Sequence, residues 1–204
     1  MAGTARARSP NFASSSSPRP LPGRVGVPGT VAGFSLALEK YGSGQFTLAQ
    51  LIEPAIALAR DGFILTDDMA DTLTTWHPRL KRWPSSATIF SRPDGTPLGE
   101  GDRLVQSDLA ETLSAIATQG ARGFYEGPVA EKLAKAISDA GGIMTTDDLK
   151  SYQPIIRPPV RGSYRGYDIV SMPQSSSGGI VLIEILNILE GFAMSDLKQG
   201  TAPS

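Results

Sequence analysis

The chain has 204 residues, 40% of them hydrophobic and 19% charged, which is enough for one sizeable core. A formal charge of −1 hides an asymmetry: residues 1–24 hold Arg6, Arg8, Arg19 and Arg24 and no acid, and the other 15 basic and 20 acidic residues leave a body of net −5. That mildly acidic body argues against a nucleic-acid surface, and the absence of cysteine excludes disulfides, thiolate metal sites and a cysteine nucleophile.

Residues 1–24 read as a disordered Arg/Ser/Pro-rich tail, because they lack periodic hydrophobics. They also lack the apolar stretch of about 7–15 residues that a secretory signal needs. No run in the chain approaches the roughly 18 apolar residues of a membrane span. From Val25 order is expected. Pro28-Gly29-Thr30 reads as a turn and helix cap, followed by helical spacing of Val31, Phe34 and Leu38 up to Tyr41, with Gly42 as the stop. Thr47-Leu48-Ala49-Gln50 is a capping box, and Leu48, Leu51, Ile52, Ala55, Ile56 and Ala59 then recur on one helical face that Pro54 is expected to distort. Asp67 to about Arg82 predicts another helix, broken by Pro78. Arg92-Pro93-Asp94-Gly95 predicts a β-turn between short extended pieces at Ile89-Phe90 and Pro97-Leu98.

Ser107 is placed to cap a helix over Asp108–Gln119, with acids at its positive end and Gly120 after it. Pro128 suits the first position of the next helix, which Gly141-Gly142 ends. Thr145-Thr146-Asp147-Asp148 opens a short helix towards Tyr152. The period then changes. Val160–Tyr164 and Tyr167–Met172 are β-type runs joined by Arg165-Gly166, a hairpin-length connection. Ile180 to about Phe192 is apolar nearly all round, a helix that calls for burial on more than one face, and 195–204 is a polar tail.

Residue chemistry alone yields no active site. Ser175, Ser176 and Ser177 precede Gly178-Gly179, but a nucleophile elbow has glycines on both sides of its serine, and a serine needs a base. The only histidine is His77, within Thr75-Trp76-His77-Pro78, and it reads as a surface or half-buried structural residue. No lysine follows the glycines, so a phosphate loop is not indicated. Ser176, Ser177, Gly178 and Gly179 therefore read as a structural turn, a serine capping the helix and the glycines permitting close packing on a strand. The acid pairs Asp67-Asp68 and Asp147-Asp148 sit at helix starts and read as dipole and capping groups. Arg157, Arg161 and Arg165 recur every four residues and read as one solvated face; Gly120, Gly123 and Gly127 around Phe124-Tyr125 read as a helix–helix corner.

Taken in series, the segments resemble the gamma-glutamyltransferase (glutathione hydrolase) family. The resemblance is carried by Gly26-Val27-Pro28-Gly29-Thr30-Val31-Ala32-Gly33-Phe34, by Pro54 through Phe63, by Gly123-Phe124-Tyr125-Glu126-Gly127 and by Gly141 through Thr145 with Asp148-Leu149. It continues in Tyr164-Arg165-Gly166-Tyr167, Met172-Pro173, Ser176-Ser177-Gly178-Gly179-Ile180 and Leu186 through Glu190. Gln174-Ser175 departs from the prolines the family usually shows there. The resemblance implies an α+β chain, a partial N-terminal-nucleophile hydrolase (αββα) fold. It would be a helix-rich large-subunit portion over 25–194, with a β-hairpin followed by a core helix.

The family implies a precursor that cleaves itself in two. A threonine at the new N-terminus attacks a γ-glutamyl amide with its own α-amino group as base, and the acyl group passes to water, an amino acid or a peptide. No metal or organic cofactor is implied. The substrates implied are glutathione and other γ-glutamyl compounds, and the partner implied is a small catalytic subunit absent from these residues. The family usually works outside the cytoplasm. Transferred position by position, no catalytic, substrate-binding or metal residue lands here. Thr74-Thr75 is followed by Trp76 and Thr145-Thr146 by Asp147, so neither forms the family's Thr-Thr-His motif, and the carboxylate-gripping arginine belongs upstream of Gly26. The expectation is a scaffold portion inactive alone, with a non-catalytic interaction subunit or the remnant of a longer gene as the alternative.

Overall fold

Most helices form where the caps and apolar spacing predict them, and among the described residues the strands make two short antiparallel pairs. The structure is a computed structural model, and it describes residues 26–193. The expected tails at 1–24 and 195–204 lie outside those residues. The chain divides into two compact units, the first ending at Pro154 and the second beginning at Ile155.

In the first unit α1 is Thr30–Tyr41 and α2 is Leu48–Asp61. Gly29 takes the N-cap of α1 without a side-chain bond, so Thr30 is the first helical residue and not its cap. At α2 the capping box forms as expected. The Gln50 N–H donates to Thr47 Oγ1 at 3.2 Å, and Gln50 Oε1 accepts from the Thr47 N–H at 2.8 Å. The helix runs through Pro54, which forfeits one amide bond in its interior. Strand β1 (Phe63–Ile64) pairs with β2 (Arg103–Leu104), Phe63 opposite Leu104. Between them lie α3 (Asp67–Leu80) and α4 (Pro84–Phe90). Ile89 and Phe90 are thus helical, contrary to the extended piece expected, because Pro84 starts a helix at its first position. The β-turn after them forms, with the Gly95 N–H on the Arg92 carbonyl at 2.9 Å.

Helix α5 is Ser107–Gln119, with Gln106 rather than Ser107 at the N-cap. It packs along α2: Ile56 and Ala59 face inward from one helix, Ala110 and Ile116 from the other, and the Gln106 N–H donates to the Ala59 carbonyl at 2.8 Å. Helix α6 (Arg122–Tyr125) makes the corner into α7 (Gly127–Asp139), where Pro128 is the second residue and not the first. A Cβ on Gly123 would overlap the Ala115 carbonyl, so this corner needs glycine for close approach. Helix α8 is Thr146–Lys150. The core gathers Ala32, Tyr125, Ala130, Met144 and Leu149, with Val31, Phe124, Leu133 and Tyr152 around it. Leu149 is fully buried.

In the second unit β3 (Val160–Tyr164) and β4 (Tyr167–Ser171) form the expected hairpin, Val160 opposite Ser171 and Tyr164 opposite Tyr167. Arg165 and Gly166 have φ of 49° and 83°, the two positive values a type I′ turn demands. Helix α9 is Gly178–Glu190. Ile183 packs over Gly162 of β3, but Gly179 is the only buried residue of α9, and Val181, Leu182, Ile185 and Ile188 remain 44–65% exposed. The burial on several faces that its composition called for is met, among the described residues, on one face only. No helix described is long and apolar enough to cross a membrane.

Candidate functional site

The serine-glycine turn joins the end of β4 to α9. Pro173 accepts the Ser176 N–H at 3.2 Å, and Ser176 Oγ accepts the Gly178 N–H at 3.3 Å, covering one of the free amides at the helix start. Ser177 occupies the N-cap position, yet its side chain makes no capping bond, so the capping serine is Ser176. A Cβ on Gly179 would overlap the Met172 carbonyl oxygen and lie 2.8 Å from Val160 Cγ2, whereas one on Gly178 meets nothing closer than Ser176 Oγ at 3.5 Å. Gly179 therefore sets how closely α9 approaches the hairpin. Among the described residues no imidazole, carboxylate or amine hydrogen-bonds Ser175, Ser176 or Ser177, so none has the base a hydroxyl nucleophile requires.

His77 is buried, only 6% exposed, not at the surface or half-buried as its sequence context suggested. The reason is its place on α3, where the two inward residues, Ala70 and His77, stand two turns apart on one stripe. Its Nε2 lies 2.8 Å from Ser91 Oγ, which satisfies the buried ring. This is an imidazole beside a hydroxyl, but the constellation stops there. The Ser91 N–H is already given to the Ala87 carbonyl, and no carboxylate hydrogen-bonds the ring among the described residues. The pair ties α3 to the end of α4.

The acid pairs behave as helix-start groups. Asp67 Oδ1 accepts the Asp68 N–H at 2.8 Å. Asp148 accepts the Thr145 N–H at 2.9 Å and the Thr145 hydroxyl at 2.8 Å, bonds that hold its carboxyl below the ordinary carboxylate range. Asp102 is lowered in the same sense, first by the Gly99 N–H at 2.8 Å and then by Arg92 at 2.7 Å. Arg157, Arg161 and Arg165 are all exposed, and Arg165, in the hairpin turn, also places its N–H on Glu190 Oε1 at 2.7 Å and its guanidinium on the Phe192 carbonyl at 2.9 Å. No group of three or more potential metal ligands occurs among the described residues. Two concavities of the first unit, of about 540 and 630 Å³, are lined by neither His77, Ser91 nor the serine turn.

With its helices and, among the described residues, two small antiparallel sheets, the chain is part of an α+β fold, here the N-terminal-nucleophile hydrolase fold of its structural neighbours. The chain belongs to the gamma-glutamyltranspeptidase family, whose profile matches residues 5–203. It is 48% identical over 178 residues to the Escherichia coli glutathione hydrolase proenzyme, a match covering 87% of this chain and 30% of that protein. Its fold superposes on the crystal structure of Helicobacter pylori gamma-glutamyltranspeptidase with a TM-score of 0.82 at 47% identity, covering 87% of this chain and 50% of that one. The Bacillus anthracis transpeptidase CapD gives a TM-score of 0.71 at 36% identity, covering 82% and 56%. The chain thus spans about 30% of the length of the curated relatives it matches.

Proposed function

We propose that this chain forms a scaffold portion of a protein that hydrolyses glutathione and other γ-glutamyl compounds and transfers the γ-glutamyl group to amino acids or peptides. The single observation that carries this reading is the family match over 5–203. In that reaction a hydroxyl nucleophile attacks the amide carbon and needs an adjacent base and amide donors for the oxyanion. These 204 residues contain no Thr-Thr-His motif, and no base hydrogen-bonds the serine turn among the described residues. The reacting groups are therefore assigned to polypeptide other than these residues, the small catalytic subunit, and residues 25–194 to the large-subunit portion that supports it. Ser176, Ser177, Gly178 and Gly179 are assigned a structural role there.

The test is release of a chromogenic anilide from its γ-glutamyl conjugate. The pure chain is expected to give none, since losing a nucleophile costs roughly a million-fold where it has been measured. The same chain joined to the remaining sequence of the Escherichia coli glutathione hydrolase proenzyme is expected to release it. Turnover by the chain alone, abolished by Ser176→Ala or Ser177→Ala, would overturn the assignment.

The exposed apolar side chains of α9 favour a second reading, a non-catalytic subunit that pairs with a separately made partner. Size-exclusion chromatography separates the two, because a well-behaved monomer speaks against an obligate partner.

A further inference from the structure

We draw no further inference here: the strongest candidate, the uncharged apolar groove of about 630 Å³ between α1, α2 and α5 lined by Phe34, Leu38, Tyr41, Leu51, Ile52 and Leu113, is an unpartnered face, and nothing in the structure shows what covers it.

Discussion

Gly179 stands against the carbonyl of Met172 so closely that no side chain fits between them. The obstacle is main chain, which cannot swing aside as a flexible side chain would. Gly179→Ala is accordingly expected to lower stability by about 1–3 kcal/mol, the usual cost of overpacking, despite the better helix propensity of alanine. Gly178→Ala, one residue away and meeting only Ser176 Oγ at an ordinary contact distance of 3.5 Å, is expected to change it by no more than about 0.5 kcal/mol. Urea titration followed by circular dichroism measures both. Equal effects at the two positions would show that the approach to Met172 does not decide the site.

The Tyr125 hydroxyl ties α6 to the start of α1. It donates to the Pro28 carbonyl at 2.5 Å and accepts the Ala32 N–H at 3.3 Å, while its ring stacks on Tyr152 with centroids 5.7 Å apart. Tyr125→Phe keeps the stack and strands both partners, an expected loss of about 1–3 kcal/mol. Burial raises the hydroxyl above its ordinary value of 10.0. The fold therefore favours the neutral phenol. That contribution is complete below the ordinary value and is lost as pH rises through the folded one. The wild-type chain should lose stability above about pH 10 faster than Tyr125→Phe does, measured as urea midpoints from pH 8 to 11. Parallel curves would remove Tyr125 from the alkaline transition.

What could be read from the sequence was what is local. The Thr47–Gln50 box lies within four residues, and its bonds form as the pattern demands. The same holds for Arg165-Gly166, where a two-residue loop between β-type runs leaves few geometries. The pairing of Phe63 with Leu104 was not legible, since two-residue strands carry no period and the partners are far apart in sequence. Helix α4 had a signal, Pro84 at a helix start, which the β-branched and aromatic Ile89-Phe90 masked. The burial of His77 depended on Ser91 arriving from another element to satisfy it. At the serine turn the absence of a base was legible because the chain has one histidine; which serine caps and which glycine touches the strand was not.

The carboxyl groups of Asp102 and Asp148 are both held below their ordinary value of 3.8, chiefly by backbone N–H groups of Gly99 and Thr145. Lowered carboxyls stabilise the fold above the unfolded value, and that contribution is lost as pH falls through the folded one. The thermal midpoint should hold down to about pH 4 and then fall. The double variant Asp102→Asn, Asp148→Asn should start lower at pH 7 and fall less between pH 5 and 2.5. Asp61 and Asp94 are shifted in the same direction, so the slope is expected to shrink and not vanish. An unchanged slope would place the acid transition elsewhere.

The hairpin turn separates a backbone requirement from an electrostatic one. Gly166 has φ of 83° and open space where a Cβ would sit, so Gly166→Ala meets no neighbour and costs only the left-handed conformation, about 1–2 kcal/mol. Arg165 has φ of 49°, and its guanidinium reaches the Phe192 carbonyl just past the end of α9, where a cation meets the negative end of the helix. Arg165→Asn keeps the backbone bond to Glu190 and suits positive φ, but it removes that charge, for a loss of about 0.3–1 kcal/mol at low salt. Raising the salt to 1 M should erase most of the Arg165→Asn difference by screening and leave the Gly166→Ala difference in place. If instead the two variants respond to salt alike, the guanidinium acts by packing over Tyr164, 5.2 Å away, and not through the end of the helix.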